Sequence, residues 1–265
     1  MSTKVLSRFE ILKRIVKSRF GSILNFLTFF DHFSARRIEC VLDFKLLPFE
    51  KKHRNVVIYG TYSKNGLLRS DEIDLIRELS KNNYLVVVQN GSKVDPALPL
   101  TKCSYILREN IGRDFGMLRD ALKIVNISGS TRNLVWLNSS CTWNPTAIQS
   151  LINSEKFLLS PGLMSMTDSW RGGHHLQSYF YFIHFSYLKY FLDFFNFSNV
   201  RNWKFKRTVV VYGEKKLSVY FKRLGMNVGC YYPVENFSPL QFKFVTTYLD
   251  FKTQLENIGA PFSKL

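Results

Sequence analysis

The chain has 265 residues, enough to bury a full hydrophobic core, which favours one large domain with a smaller appendage. Lysine and arginine number 37 against 20 aspartates and glutamates, and this excess favours an anionic partner such as a phosphate-bearing substrate, an anionic lipid or nucleic acid. The four cysteines are widely spread without a CxxC pair, which argues against a thiolate metal site and favours a reducing compartment.

Residues 1–50 differ from the rest because apolar and basic residues share a helical pattern there. Apolar residues recur every three or four positions from Val5 to Phe20, lysines and arginines lie between them, and residues 23–30 add a dense apolar patch. A basic amphipathic helical extension of this kind can lie on an anionic membrane surface. Packing on the main domain and dimerisation through the phenylalanine-rich patch remain open alternatives.

We predict neither a transmembrane helix nor a signal peptide. The most apolar long stretch, residues 176–195, is interrupted by His184, Lys189 and Asp193. No small-residue cleavage site follows residues 23–30.

Apolar strands and amphipathic helices alternate from Asn55 onwards. Continuous apolar runs predict strands over residues 56–59, 84–89, 104–107 and 134–137. Strands without polar alternation, separated by helices, predict an α/β fold with a mostly parallel sheet flanked by helices. Ligands of such sheets bind at the carboxyl ends of the strands. The polar or glycine residues that fall at such ends are Gly60, Asn90, Arg108 and Asn138.

The turn after the third of these strands, residues 108–116, is a candidate phosphate site. Gly112 and Gly116 allow a backbone to approach a ligand, and the start of the next helix offers unpaired N–H groups. Arg108 and Arg113 could add charge-assisted hydrogen bonds to phosphate. An ordinary strand-to-helix turn with solvated charges is the alternative.

The pattern is less regular beyond residue 150. We predict a strand over 163–166, a long aromatic helix from about 175 to 195, a strand over 208–212 and a last strand over 228–232. Gly213 and Glu214 are expected to open the helix after the 208–212 strand, and residues 236–265 are expected to form a C-terminal helical tail. A basic cluster (Arg201, Lys204, Lys206 and Arg207) is either a solvated face or a contact for a lipid diphosphate or membrane.

Four short blocks, in this order, resemble one family. They are Asn110-Ile111-Gly112-Arg113-Asp114-Phe115-Gly116, Leu137-Asn138-Ser139-Ser140, Thr167-Asp168-Ser169 with His175-Leu176-Gln177-Ser178-Tyr179-Phe180, and Tyr212-Gly213-Glu214 with Leu217-Ser218. Together they resemble the rhamnan synthesis protein F family, glycosyltransferases of bacterial surface polysaccharides. The resemblance implies a GT-A-like glycosyltransferase domain over residues 51–235, with a donor half over about 55–150 and an acceptor half over about 151–235.

The resemblance also implies a nucleotide-sugar site at the strand ends of the donor half. Its expected residues are Tyr59, Asn90, Arg108, Asn110, Gly112, Arg113, Asp114, Asn138, Ser139 and Ser140. In this fold the fourth strand ends in an Asp-x-Asp-like motif that holds a metal ion on the diphosphate. Ser139 stands where the family carries an acidic residue, and neutral oxygens bind Mg²⁺ or Mn²⁺ poorly. Metal dependence is therefore left open.

The acceptor half carries the candidate sugar-binding and catalytic residues. His175, Gln177 and Ser178 are expected to line the sugar or acceptor pocket, with helix capping as the alternative for the first two. Inversion at an anomeric carbon needs a carboxylate that removes the acceptor proton. By resemblance Glu214 is the predicted base, and a glutamate that only complements a helix dipole is the alternative. Asp168 is the alternative base, with a turn-capping role equally open.

The expected function is that of an inverting glycosyltransferase, a rhamnosyltransferase that uses dTDP-rhamnose. Its acceptor would be a lipid-linked glycan at the cytoplasmic, inner face of a bacterial inner membrane, where the protein would be peripheral. A catalytically silent member that binds glycan or scaffolds other transferases is the alternative, motivated by Ser139. The net charge alone motivates a nucleic-acid binder, but no nucleic-acid motif is present, so we predict no nucleic-acid partner.

Overall fold

The computed structural model describes residues 8–35, 40–50, 53, 55–63, 65–125, 127, 132–154, 162–169, 173–196, 200–236, 255 and 258–264, with side chains from residue 21 onwards. The helices are α1 (Arg8–Ser34), α2 (Ser70–Leu79), α3 (Arg113–Val125), α4 (Pro145–Ile152), α5 (Leu188–Asn196), α6 (Lys206–Thr208) and α7 (Lys215–Arg223). A π-helical segment, Val209–Glu214, joins α6 to α7 without a break. Short 3₁₀ turns cover Phe185–Tyr187 and Val234–Asn236.

The strands are β1 (Val41–Lys45), β2 (Asn55–Tyr62), β3 (Tyr84–Asn90), β4 (Ser104–Arg108), β5 (Asn133–Asn138), β6 (Cys141–Trp143), β7 (Leu163–Ser169), β8 (His175–Leu176), β9 (Phe180–Ile183), β10 (Val228–Tyr232) and β11 (Phe262–Lys264). Nine of them form one sheet in the order β1-β4-β3-β2-β5-β9-β7-β10, with β8 paired to β7. Strands β2, β3, β4, β5, β7 and β10 run in one direction, and β1 and β9 run against them. The predicted α/β class with a mostly parallel sheet is confirmed.

Helices cover both faces of this sheet, which is why its central strands are apolar throughout. Alternate residues of β2 enter two separate cores, as the two-residue period of a strand requires. Val56 and Ile58 pack in the core that also contains residues of α3, α5 and α7. Val57 and Tyr59 pack in the other, with residues of α2 and α4.

Two predicted elements of the second half are wrong. The long helix predicted from about 175 to 195 is instead β8, β9, a 3₁₀ turn and the short helix α5. The reason is that β9 lies between β5 and β7, and its aromatic residues are buried on both faces of the sheet. An aromatic run that is buried on two sides fits a central strand better than a helix with one buried stripe.

The strand predicted over 208–212 is also wrong, because this run is helical. Its β-branched residues favour a strand locally, but packing overrides that weak preference. Residues 206–223 form one helical stretch whose buried side includes Val209, Leu217 and Phe221 in the core. Glu214 consequently lies inside this stretch and does not open a helix.

The predicted terminal extensions differ in how much of them is described. The predicted helical extension over 1–50 contains α1 and then β1, which pairs with β4 at the edge of the sheet. In the predicted helical tail over 236–265, residues 237–254 lie outside the described part. The described end of that segment contains β11, a strand paired antiparallel with β6.

The C-terminal end of α1 docks against the segment that leads into α6. The Asp31 carboxylate accepts the backbone N–H groups of Lys204 at 3.0 Å and Phe205 at 3.1 Å. The His32 ring stacks on Tyr212 with 3.7 Å between ring centroids. Burial first, and then Lys216 and Arg201, lower the pKa of His32 to about 4, so the ring is neutral at pH 7.

The opposite side of α1 exposes a patch of large apolar residues, here called the α1 apolar patch. Its members are Ile23, Phe26, Leu27, Phe29, Phe30 and Phe33. Their exposed fractions run from 39% for Leu27 to 66% for Phe26, so no other described element covers them. Within the described residues, no helix combines the length and apolar character needed to span a membrane.

Candidate active site

A cavity of about 540 Å³ lies at the carboxyl edge of the sheet, where ligands of parallel α/β sheets bind. Asp114 enters it from the start of α3, and Ser140 from the turn after β5. Ser169, at the end of β7, lies on the same wall as residues 175–179. The opposite wall comes from the helical stretch between residues 206 and 215.

The helical wall presents two rows of side chains at four-residue spacing. One row is Lys206, Val210 and Glu214; the other is Arg207, Val211 and Lys215. Spacing of four residues keeps side chains on one face of a helix, and the wider turn of the π-helical segment holds both rows toward the cavity. The wall is thus basic at its start, apolar in the middle, and carries a carboxylate and a lysine at its end.

Glu214 is held on the cavity wall by groups from the neighbouring block. Its Oε1 accepts the backbone N–H of Ser178 at 3.0 Å, and its Oε2 lies 3.4 Å from Nε2 of His175. The His175 Nδ1 lies 2.8 Å from the carbonyl oxygen of Gly173, which can only accept, so this nitrogen carries a proton. The side chain of Glu214 is 10% exposed, and that surface lines the cavity.

A serine ties the same two segments together behind the carboxylate. The hydroxyl of Ser218 donates to the carbonyl oxygen of Glu214 at 3.0 Å and accepts the N–H of Leu176 at 3.2 Å. The third and fourth sequence blocks are therefore in direct contact, although about 36 residues separate them.

Two carboxylates, Asp114 and Glu214, face the cavity, and both act on the same buried phenol. Burial first, then Glu214 and Asp114, raise the pKa of Tyr181 well above its usual range. Tyr181 is fully buried, and its hydroxyl has no hydrogen-bond partner within the part of the chain that is described. The phenol is therefore neutral.

Arg108, predicted to bind the donor, is fully buried and points into the protein. Its Nε and Nη2 each lie 3.0 Å from the Asp120 carboxylate, and its Nη1 donates to Oδ1 of Asn90 at 3.0 Å. Its Nη2 also donates to the carbonyl oxygen of Ile111 at 2.6 Å. Asn90 in turn donates to Oδ1 of the exposed Asn110 at 3.1 Å. This network holds the 108–112 loop.

The two glycines of this block, Gly112 in the loop and Gly116 in the first turn of α3, make room for protein atoms. A Cβ on Gly112, where φ is +84°, would lie 2.6 Å from Oδ1 of Asn202. A Cβ on Gly116 would lie 2.9 Å from the carbonyl oxygen of Ile111. Arg113 is exposed, and its Nε donates to the carbonyl oxygen of Lys204 at 2.9 Å. In this block, only Asp114 reaches the cavity.

The other predicted donor residues lie at the strand ends, as expected, but most face protein groups. Gly60 is beside Asn138 and Asn90 is beside Arg108 in the strand register, so these ends form one edge. Tyr59 is fully buried and donates to Glu72 at 2.9 Å.

The position of the expected metal motif does not fit a divalent ion. The side-chain oxygen of Asn138 accepts both the N–H and the hydroxyl of Ser140, and the hydroxyl of Ser139 accepts the N–H of Tyr62 at 3.2 Å. These oxygens therefore face donors, and none of them is anionic. Over the described ranges, no group of three histidine, cysteine, aspartate or glutamate side chains is placed to hold a metal ion.

Asp168, the alternative base, lies outside the cavity. Its Oδ2 is 2.9 Å from Nε2 of His174, and its Oδ1 accepts the N–H of Val234 at 2.8 Å. The side chain is 3% exposed. Asp168 thus binds a histidine six positions later and the backbone of a distant 3₁₀ turn, and Glu214 is the candidate base on the cavity wall.

Seven cavity residues were not predicted as catalytic, donor-binding or acceptor-binding residues: Ser169, Tyr179, Lys206, Arg207, Val210, Val211 and Lys215. Lys206 and Arg207 were noted only as members of the basic cluster. The four-residue spacing from Lys206 to Glu214 would have predicted the last three, Val210, Val211 and Lys215, as members of a helical wall. It was missed because a run of valines favours a strand.

No protein-family model matches the sequence, and no curated protein matches it. The resemblance to the rhamnan synthesis protein F family is thus not confirmed. Among solved structures, the chain is similar to the glycosyltransferase GlyE of Streptococcus pneumoniae TIGR4, with 12% identity and a TM-score of 0.40. This match covers 77% of the chain and 53% of GlyE, so the chain spans about half the length of that protein.

A second similar structure is a glycosyltransferase involved in glycosylation of the major capsid of PBCV-1. It is 15% identical with a TM-score of 0.34, and the match covers 62% of this chain and 78% of that one. Matches with such low TM-scores do not define the function of the chain.

Proposed function

We propose that this chain is an inverting glycosyltransferase that works in the cavity at the carboxyl edge of the sheet. The observation that carries the proposal is that all four sequence blocks contribute to that one cavity. The first contributes Asp114, the second Ser140 and the fourth Glu214, and the third contributes Ser169, His175, Gln177, Ser178 and Tyr179. Blocks separated by up to 100 positions thus meet where this class of sheet binds ligands.

In the proposed reaction, Glu214 removes the proton of the acceptor hydroxyl as its oxygen attacks the anomeric carbon. The bond from that oxygen to the anomeric carbon forms, and the bond to the donor phosphate breaks on the opposite side. The diphosphate leaves with the electron pair, and the configuration inverts. The N–H of Ser178 holds the carboxylate so that it meets the acceptor in one orientation.

We propose dTDP-rhamnose as the donor and a lipid-linked bacterial surface glycan as the acceptor. The support for both is the sequence resemblance of the four blocks. A silent glycan-binding or scaffolding protein is the second candidate, because Ser139 replaces an acidic residue of the family. The two candidates differ in one respect, since only the enzyme breaks the bond between the sugar and the diphosphate.

The test is a panel of nucleotide sugars measured for both thermal shift and donor cleavage. At about 100 times the dissociation constant, bound donor should stabilise the fold by about 2.7 kcal/mol and raise the melting temperature by several degrees. We expect dTDP-rhamnose to give the largest shift and to be cleaved slowly without acceptor. Glycan binding with no donor shift and no cleavage would favour the silent candidate.

We also propose that the protein is peripheral on the cytoplasmic face of a bacterial inner membrane, with the α1 apolar patch in contact with the anionic surface. The support is the exposed patch itself together with the lysines and arginines in the sequence of α1. A helix with an apolar side and many basic residues binds such surfaces through burial and charge.

The chain should therefore co-sediment with vesicles that contain phosphatidylglycerol, and less with neutral vesicles. The variant with Phe26→Ser and Phe30→Ser should lose this binding. Phe185→Ser, which removes an exposed aromatic residue far along the chain from α1, is the matched control. Rising salt should weaken the contact because the attraction is screened within about 10 Å at 0.1 M. Equal sedimentation of the double variant and the control would refute the proposal.

A further inference from the structure

We infer that phosphate groups in this cavity are held by Lys206, Arg207 and Lys215, and not by a divalent metal ion. The inference rests on the proposed function for the identity of the ligand, a diphosphate. It is carried by two independent features: the unsuitable oxygens at the expected metal motif, and three cations on the helical wall.

The cavity needs positive charge if a diphosphate is to enter it. Two of its lining residues, Asp114 and Glu214, are carboxylates that would repel phosphate oxygens. At the metal motif, Asn138 and Ser139 are neutral, and their side-chain oxygens accept hydrogen bonds from protein groups. A divalent metal ion could offset the negative charge of the phosphates and carboxylates. Such an ion is normally held by carboxylate ligands, and the motif has none.

The helical wall supplies that positive charge directly. Lys206 and Arg207 lie at its start, and Lys215 lies about two turns further on, beside Glu214. The lining thus carries three lysine or arginine side chains against two carboxylic side chains, an excess of one positive charge from these five residues. A guanidinium and two ammonium groups provide the charge-assisted hydrogen bonds that phosphate oxygens accept.

Arg207 is also positioned by another element. Its Nη2 donates to Oδ1 of Asn25 on α1 at 2.6 Å, which uses one of the five N–H donors of a guanidinium. This bond fixes the side chain along the cavity wall, so less conformational entropy is lost when a phosphate binds. A leaving diphosphate would be stabilised in the same way by these preorganised charges.

The diphosphate could belong to the donor nucleotide or to a lipid-linked acceptor, and the experiment separates the two. Binding of inorganic pyrophosphate, dTDP and a polyprenyl diphosphate in detergent is measured by calorimetry, each with EDTA and with Mn²⁺. We expect EDTA to change the affinities by less than about twofold. Lys206→Gln, Arg207→Gln and Lys215→Gln should each weaken binding about tenfold or more, as expected for a charged hydrogen bond.

Lys204→Gln is the matched control, because Lys204 is exposed next to the cavity cations and does not line the cavity. Weaker binding of dTDP in the cavity variants assigns the site to the donor, and weaker binding of only the polyprenyl diphosphate assigns it to the acceptor. Pyrophosphate binding that needs Mn²⁺, or that falls equally in Lys204→Gln, would overturn the inference.

Failure of this inference and failure of the proposed function give different results. Diphosphate binding through the three cations without any donor cleavage would leave the inference intact and reject the enzyme. Sugar transfer that depends on Mn²⁺ and is unchanged by the three substitutions would reject the inference and leave the proposed enzyme intact.

Discussion

Glu214→Gln should lower turnover by roughly 10²–10⁴-fold, the usual contribution of a positioned general base. The substitution keeps the size of the side chain, and its amide oxygen can still accept the N–H of Ser178. It removes the atom that takes the acceptor proton, so the chemical step is affected more than the binding of the donor. Steady-state kinetics with saturating dTDP-rhamnose and acceptor would show a large fall in kcat with little change in donor affinity.

Asp168→Asn is the comparison that discriminates between the two candidate bases. Asp168 lies outside the cavity and holds His174 and the backbone of Val234, so its replacement should act through stability and local order. Both variants need a melting curve, so that turnover is compared per folded molecule. Near-normal turnover of Glu214→Gln beside an inactive but folded Asp168→Asn would move the base to Asp168.

The second large effect concerns stability: Asp120→Asn should destabilise the fold by about 3–5 kcal/mol, the usual cost of breaking a buried ion pair. Asp120 lies between Arg108, at 3.0 Å, and Arg119, at 2.6 Å, and all three side chains are buried. The substitution removes the charge of the carboxylate that both buried guanidinium groups contact. Urea denaturation at pH 7 measures the change in unfolding free energy.

Asp74→Asn is the control for this measurement. Asp74 also pairs with an arginine, Arg77 at 3.3 Å, but both side chains are more than half exposed. Pairs of that kind contribute about 0–1 kcal/mol because water screens them. If both variants lose a similar amount of unfolding free energy, the buried Arg108–Asp120 pair stabilises the fold no more than an exposed pair does.

The first half of the sheet could be predicted from the sequence because its strands carry a strong local signal. β2, β3 and β5 are buried along nearly their whole length, so they read as uninterrupted apolar runs. The rule that parallel strands end at one edge then placed Gly60, Asn90, Arg108 and Asn138 at that edge. The strand register sets Gly60 beside Asn138 and Asn90 beside Arg108.

The second half could not be predicted in the same way because packing decides its structure. The valines at 209–211 favour a strand by local preference, yet they lie in a helical stretch packed on the core. Residues 180–183 have an aromatic pattern that fits a helix, and only their place between β5 and β7 makes them a strand.

The candidate site shows the same division between local and long-range information. The burial of Arg108 depends on Asp120, twelve positions later, and no local pattern announces that pairing. The contact between Glu214 and Ser178 joins residues 36 positions apart, and the resemblance of the blocks was the only sequence signal for it. Lys215 was not predicted as a site residue because its place on the cavity wall depends on the helical register of the residues before it.

Because the helical register decides which side chains reach the cavity, the length of the π-helical segment matters as much as its composition. In an α-helix each residue adds about 100° of rotation, and a π-helical turn accommodates one extra residue within an α-helix. Loss of one residue among Val209–Glu214 would therefore give a regular α-helix in which Leu217 and Phe221 keep their places in the core. The wide turn that directs both rows of side chains toward the cavity would be lost, so the residues before and after it would no longer share one wall. Natural variation in this segment should therefore consist of substitutions at constant length, with insertions and deletions confined to the loops before Lys206 and after Arg223.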